Sequence, residues 1–253
     1  MRIRYASAPG DGCGNEDLAS SGADWAFVLD GATAPPDVDS GCRHGVRWFV
    51  ATLAASLAAE LALPCHRPLP DVLAHALERT RAAHGGTCDL ANPDSPSSTV
   101  AMVRHSGPAL EYLVLADSAV LLPGPGGTVT PVTDDRLDHL PGGRPYTRAL
   151  VRSARNSPDG FWVAGSLPEA AHQAVTGTAR PPGLRFGLLT DGCTRLVKHY
   201  GHTWHQLWQH LEKRGPESLI ARVRDNERTY GAERGKRHDD ATALVGAFAP
   251  VSG

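Results

Sequence analysis

The stretch Ala26-Phe27-Val28-Leu29-Asp30-Gly31-Ala32-Thr33 is an apolar run that stops at an aspartate followed by a glycine. Asp24 and Trp25 lead into it, and a continuous run of this kind reads as a short buried strand, with Asp30 where the strand leaves its sheet. The pattern recurs. Tyr112-Leu113-Val114-Leu115-Ala116 runs into Asp117-Ser118, and Phe186-Gly187-Leu188-Leu189-Thr190 runs into Asp191-Gly192. A carboxylate at the rim of a packed sheet is costly to desolvate, so three of them after apolar runs point to a cation that neutralises them. A hard metal ion meets that need.

At 253 residues and 41% hydrophobic content the chain can bury a sizeable core, and it reads as a single domain over residues 1–253. A formal net charge of -2 without a block of like charges argues against nucleic-acid or membrane partners. Met1 to Gly10 holds no apolar leader core, and no stretch approaches the length of a spanning helix, so the expectation is a cytoplasmic protein.

Five cysteines (Cys13, Cys42, Cys65, Cys88, Cys193) are widely spaced, odd in number and form no C-x-x-C pair. That spacing argues against zinc or a disulfide framework and for reduced, packed thiols. Cys193 follows Asp191-Gly192, but the C-x5-R arrangement of cysteine phosphatases is absent, which argues against a nucleophilic thiol.

Arg2 to Ser7 reads as an opening strand, followed by a glycine-rich loop and Asn15-Glu16-Asp17. After the breaker Ala34-Pro35-Pro36, Val46, Phe49, Val50, Leu53, Leu57 and Leu61 recur at helical steps on one face, until Pro64. A second helix is expected from Asp71 to His84 with Gly85-Gly86 as its stop; His75 and His84 read as surface or packed residues rather than ligands. Ser98 to Val103 with Leu110 to Ala116, and Ala119 to Leu122 with Thr128 to Val132, read as two hairpins in meander order, hence an antiparallel sheet rather than a Rossmann fold. Residues 133–158 are polar and irregular, and loops of that length tend to carry function. Beyond them are expected a strand at Gly160 to Ala164 and a short helix capped by Ser166. A central strand at Leu184 to Thr190, helices at Trp204 to Lys213 and Pro216 to Thr229, and a closing strand at Ala241 to Phe248 complete the order.

The succession Asn15-Glu16-Asp17, Asp30-Gly31, Ser98-Thr99-Val100-Ala101, Asp117-Ser118, Asp191-Gly192 and Asp239-Asp240-Ala241-Thr242 resembles, in order and spacing, the bacterial branch of the metal-dependent PP2C-type (PPM) serine/threonine phosphatases. The resemblance implies an α+β fold: a four-layer α-β-β-α sandwich of two antiparallel sheets flanked by helices, with a dimetal site in a cleft at one end and residues 133–158 as a flap-like insertion. It implies two Mn²⁺ or Mg²⁺ ions with a third, weaker site. Asp30 would bridge the two ions and the Gly31 carbonyl would bind one. Asp191 and Asp239 would hold the other ion, and Asp117 with Asp191 the additional one. Asp17 joins the metal set, with Glu16 acting through water and Asp240 behind the ligands. Asp30 and Asp191 would be catalytic through a metal-bridging water that attacks phosphorus in line, without a phosphoenzyme.

The chain departs from the family pattern at Gly12, where a phosphate-gripping arginine is expected, and at Ala119 and Ala32. Asp240 replaces a usual asparagine, as it does in the bacterial branch. Arg144 and Arg148 in the 133–158 segment are the candidate replacements for the missing phosphate clamp. The reading is a hydrolase of phosphoserine or phosphothreonine in proteins. The alternatives are a phosphatase of a small phosphorylated metabolite, or a pseudophosphatase that binds a partner through its cleft. Haloacid-dehalogenase phosphatases, suggested by Asp30-Gly31-Ala32-Thr33, need a nucleophilic aspartate where this chain has Val28.

Overall fold

The opening apolar run forms strand β3 (Trp25–Ala32), in which Phe27 and Leu29 enter one hydrophobic cluster while Ala26 and Val28 enter another. Both faces are covered, which is why the run lacks the polar alternation of a half-solvated strand. The computed structural model describes residues 1–11, 14–32, 34, 37–231 and 237–249; Gly12, Cys13, Thr33, Pro35 and Pro36 of the sequence reading lie outside them.

Two five-stranded sheets stack face to face, every pairing antiparallel. One runs β2 (Asp17–Ser21), β3, β4 (Ser97–Ser106), β5 (Ala109–Leu115), β8 (Val175–Ala179). The other runs β1 (Arg2–Ala8), β10 (Ala241–Ala247), β9 (Arg185–Leu189), β6 (Ala119–Pro123), β7 (Val129–Thr133). Val28, Ala101, Val114, Val120, Phe186, Leu188 and Leu244 fill the space between them. Helices α1 (Gly45–Leu61) and α2 (Leu69–Ala83) cover the outer face of the β3 sheet through Phe49, Leu53, Leu57, Leu73 and Leu77. Each such side chain contributes about 1.5–3 kcal/mol on burial. Helices α4 (Asp191–Lys198), α5 (Trp204–Arg214) and α6 (Pro216–Tyr230) cover the other sheet through Leu196, Leu207, Trp208, Leu211, Leu219 and Val223. This is the four-layer sandwich expected from the sequence.

Several local expectations are corrected. β3 does not end at Asp30, where its pairing with β2 stops, but continues through Ala32 paired with β4. The four strands β4 to β7 are not one meander: β5 and β6 belong to different sheets. The chain crosses between them at Ala116, which takes a left-handed backbone with φ of 65°. Asp134 clamps this crossing, its amide donating to the Ala116 carbonyl and its Oδ2 accepting from the Ala116 amide, both at 3.3 Å. Gly160 to Ala164 makes only isolated bridges, Ser98 to Ala164 and Arg155 to Phe161. Ser166 caps nothing; its hydroxyl donates to the Leu90 carbonyl at 2.7 Å, and the short 3-10 turn Pro168–Gln173 begins after Leu167.

The polar 133–158 segment is ordered around its own small core. Leu137, Leu140, Tyr146, Leu150, Val151 and Ala154 pack with Ala116, Phe161 and Val163. Within it, helix α3 (Arg148–Ala154) starts at Thr147, whose hydroxyl accepts from the Leu150 amide at 3.2 Å.

Candidate active site

Five aspartates arrive at one end of the sandwich from five places in the fold. Asp17 on β2 stands directly opposite Asp30 on β3, and Asp30 is opposite Thr99 on β4. Asp191 is the first residue of α4, and its amide, one of the donors a helix start leaves unpaired, reaches Asp30 Oδ2 at 3.4 Å. Asp117 sits in the crossing between sheets, and Asp239 just ahead of β10.

The surrounding residues hold these carboxylates in place. Thr190 Oγ1 donates to Asp17 Oδ2 at 2.8 Å and accepts from the Thr242 amide at 2.9 Å. Arg195 binds Asp239 Oδ2 at 2.8 Å and the buried Glu227 at 3.1 Å, which fixes the Asp239 carboxylate from behind. Asp240 accepts from the Gly10 and Glu16 amides, both at 2.7 Å. Its carboxylate thus ties the amino-terminal loop and the start of β2 to β10, and Gly31 adds a bond from its amide to the Glu16 carbonyl at 3.2 Å.

The glycines of the two Asp-Gly pairs serve close packing rather than turns. A Cβ at Gly31 would lie 2.5 Å from Val46 Cγ1 and 2.8 Å from the Glu16 carbonyl oxygen. At Gly192 it would lie 2.0 Å from the Asp240 carbonyl oxygen.

Asp30, Asp117, Asp191 and Asp239 line a cavity of about 530 Å³, whose other wall is supplied by the 133–158 segment. Of the two candidate arginines, Arg148 lines this cavity and pairs with Asp37 at 3.3 Å. Arg144 does not line it. Its guanidinium is bound by Asp138 and lies 5.4 Å from the Tyr146 ring centre. The sequence reading missed Arg152 and Arg155, which also line the cavity. Arg152 pairs with Asp94 at 3.2 Å, and Arg155 donates to the Pro93 and Ser95 carbonyls at 2.9 and 2.8 Å. Their signal was the four- and three-residue spacing from Arg148 through Arg152 to Arg155, one face of a short helix. Lys198 on α4 was also missed; its charge acts on both Asp117 and Asp191. A hollow of about 640 Å³ at the far end of the β3 sheet, beside Arg67, Arg104 and Glu111, holds no carboxylate cluster.

The electrostatics of the cluster are those of a cage built for a cation. Burial raises Asp17 to about 7, against hydrogen bonds from Thr190 and Thr242, and the charges of Asp191 and Asp240 add to the rise. Asp191 is likewise raised to about 7 by burial and by Asp117 and Asp239, with Arg195 and Lys198 opposing. Burial pushes Asp30 well above the usual carboxylate range, reinforced by Asp17, Asp191, Asp117 and Asp239. Asp117 is raised by burial against the pull of Lys198. Asp17 Oδ1 is buried with no hydrogen-bond partner among the described residues. An all-oxygen donor set with an orphaned carboxylate oxygen fits hard divalent ions such as Mn²⁺ and Mg²⁺.

The family model for protein phosphatase 2C matches residues 10–224. The chain belongs to the protein phosphatase 2C family. Membership makes it a metal-dependent serine/threonine phosphatase with manganese or magnesium as cofactor. Among solved structures, the serine/threonine phosphatase PstP/Ppp of Mycobacterium tuberculosis superposes with a TM-score of 0.62 at 18% identity, covering 98% of each chain. The catalytic domain of a serine/threonine protein phosphatase PstP, solved in complex with 2 manganese ions, gives a TM-score of 0.59 at 18% identity over 98% of each chain. The phosphatase MsPP of Mycobacterium smegmatis, in complex with cacodylate, gives 0.60 at 18% identity over 97% of each chain. No curated protein sequence matches the chain. No helix among the described residues is long and apolar enough to cross a membrane.

Proposed function

We propose that this phosphatase domain hydrolyses phosphoserine and phosphothreonine in proteins, with Asp30 at the centre of its metal cage. In this reading Asp17, the Gly31 carbonyl, Asp117, Asp191 and Asp239 complete the ligand set. The observation that carries it is the partnerless, buried Asp17 Oδ1 set directly opposite Asp30. Two carboxylates in that relation repel, and a cation bound between them would relieve the repulsion.

When bound, the divalent ions supply the nucleophile for attack on phosphorus and neutralise the charge of the phosphoryl group. The chain's own residues do the positioning. Thr190 satisfies Oδ2 of Asp17 and leaves Oδ1 available to an ion. Arg195 holds one oxygen of Asp239. Asp240 serves behind the ligands, fixing the backbone on which Glu16 and Asp17 ride. Lys198 offsets part of the cage's negative charge from outside.

For the phosphate oxygens the reading turns to Arg148 and Arg152, on the cavity wall facing the cage, in place of the missing arginine at Gly12. Arg155 is committed to the carbonyls of Pro93 and Ser95 and acts as a brace. The same wall presents Leu137, Tyr146, Val151 and Phe161, apolar surface that suits the flanks of a phosphorylated peptide better than a small, fully polar phosphometabolite.

Hydrolysis of a phosphopeptide panel beside small phosphorylated metabolites, with Mn²⁺ and Mg²⁺ titrated from a chelated start, tests this. Turnover is expected only with added divalent ion and greatest on phosphopeptides. Turnover in excess chelator would overturn the metal reading, and preference for metabolites would overturn the substrate.

A further inference from the structure

We propose that Cys42, His44, His84 and Cys88 form a structural zinc site, separate from the carboxylate cage. The sequence spacing argued against zinc because no C-x-x-C pair exists. The fold instead brings together two short pairs, Cys42-x-His44 before α1 and His84-x3-Cys88 after α2, from opposite ends of two packed helices.

One ligand atom from each of the four residues lies within 4.8 Å of the others. Cys88 Sγ is 3.5 Å from Cys42 Sγ and 3.3 Å from His44 Nδ1, and Cys42 Sγ is 3.8 Å from His44 Nδ1. Tetrahedral zinc, with bonds of about 2.3 Å to sulfur and about 2.0 Å to nitrogen, places sulfurs about 3.8 Å apart and sulfur and nitrogen about 3.5 Å apart. The three observed distances are close to the edges of one face of such a tetrahedron, and His84 lies within reach of its fourth corner. They are far longer than the roughly 2.05 Å of a disulfide.

The support behind the ligands also matches. His84 is buried, and its Nδ1 meets the Thr80 carbonyl at 3.0 Å, which fixes the ring and leaves Nε2 as the ligand atom. The His44 ring stacks on Trp48 at 4.1 Å, and Trp48 meets the His84 ring edge-on at 4.7 Å, so both imidazoles are held by packing. The two loops are stitched by the Asp89 amide to the Gly41 carbonyl and by Asn92 to the Asp39 carbonyl, both at 2.9 Å.

The donor set chooses the metal. Two thiolates and two imidazoles suit zinc, whereas the carboxylate cage suits manganese or magnesium. On binding, both thiols lose their protons to solvent and the imidazoles stay neutral, so two thiolates and one Zn²⁺ make a neutral unit beside Trp48. Zinc would pin the start of α1 to the end of α2. It would also anchor the loop carrying Asp37, the partner of Arg148, and the loop carrying Pro93 and Asp94 on the cavity wall.

The test is elemental analysis of protein purified without chelator, with cobalt reconstitution of the unmutated chain as the measurement that needs no variant. About one zinc per chain is expected, retained in Asp30→Asn and lowered at least about tenfold in Cys42→Ser and Cys88→Ser. Cobalt replacing zinc should give the intense visible bands of a tetrahedral ion and a thiolate-to-cobalt charge-transfer band. Zinc that leaves with Asp30→Asn but stays in the cysteine variants, cobalt spectra without thiolate character, or a Cys42–Cys88 disulfide in the isolated chain would each overturn the proposal. None of these readouts depends on phosphatase turnover.

Discussion

Asp17 and Asp30 face each other in register across β2 and β3, with the Thr190 hydroxyl bonded to one oxygen of Asp17 and no described residue bonded to the other. Like charges directly opposite on paired strands destabilise a sheet, so this pair costs stability unless a proton or a cation sits between them.

On the proposed ligand set, Asp30→Asn and Asp191→Asn should each lower turnover by at least about a hundredfold while the protein stays folded, because each would remove a charge assigned to holding the divalent ions. Steady-state rates under Mn²⁺ titration, with circular dichroism as the folding control, measure this. Near-normal rates at saturating Mn²⁺ would remove these residues from the ligand set.

The same cluster predicts a pH-dependent stability in the metal-free protein. Asp17 and Asp191 are raised to about 7, mainly by burial, whereas an unfolded carboxyl ionises near about 4. Between those values the folded chain keeps protons that the unfolded chain has released, so this contribution is whole at low pH and is lost as pH rises toward 7. The charges facing these groups are Asp30, Asp117, Asp239 and Asp240 on the repelling side, and Arg195 and Lys198 on the attracting side. Removing one repelling charge with Asp30→Asn should raise the Tm in chelator at about pH 8, by roughly 2–4 °C for each kcal/mol relieved, with no gain near about pH 4. Melting curves at the two pH values decide it; a lower Tm for the variant at the higher pH contradicts the account.

Arg148→Ala and Arg152→Ala should each raise KM for a phosphopeptide about tenfold, the effect of losing roughly 1.5 kcal/mol of charged hydrogen bonding, with metal affinity unchanged. Arg144→Ala, whose partner is Asp138 outside the cavity, should leave KM within about twofold. If Arg144→Ala alone raises KM, the clamp lies in the loop before α3 rather than on it.

Gly192→Ala should destabilise by about 2 kcal/mol or more, since its methyl would meet the Asp240 carbonyl oxygen at 2.0 Å and push α4 away from β10. Because Asp191 begins α4 and Asp239 precedes β10, the same shift should weaken Mn²⁺ binding. Chemical denaturation and Mn²⁺ titration report the two effects. An unchanged denaturation midpoint would show that the helix can move without cost.

The chain by itself determined the layers and pointed to a cluster of aspartates. Runs such as 26–29 and 112–115 are apolar without alternation because both faces of their strands are covered, and the α1 and α2 faces recur at helical spacing. Asp30, Asp117 and Asp191 were legible because each ends or follows an apolar run whose burial makes an unneutralised charge costly, whereas Asp17 and Asp239 entered only through the resemblance. Tertiary structure decided what local pattern does not encode. The edge strands β2 and β8 are polar, Asp17-Leu18-Ala19-Ser20-Ser21 and Val175-Thr176-Gly177-Thr178-Ala179, and exist because β3 and β5 offer them a ladder. The jump from β5 to β6 turns on the backbone of Ala116 and its clamp by Asp134, eighteen positions away in sequence. The meeting of Cys42 and His44 with His84 and Cys88 required α1 and α2 to pack side by side, a contact between residues about forty positions apart that no spacing rule along the chain can show.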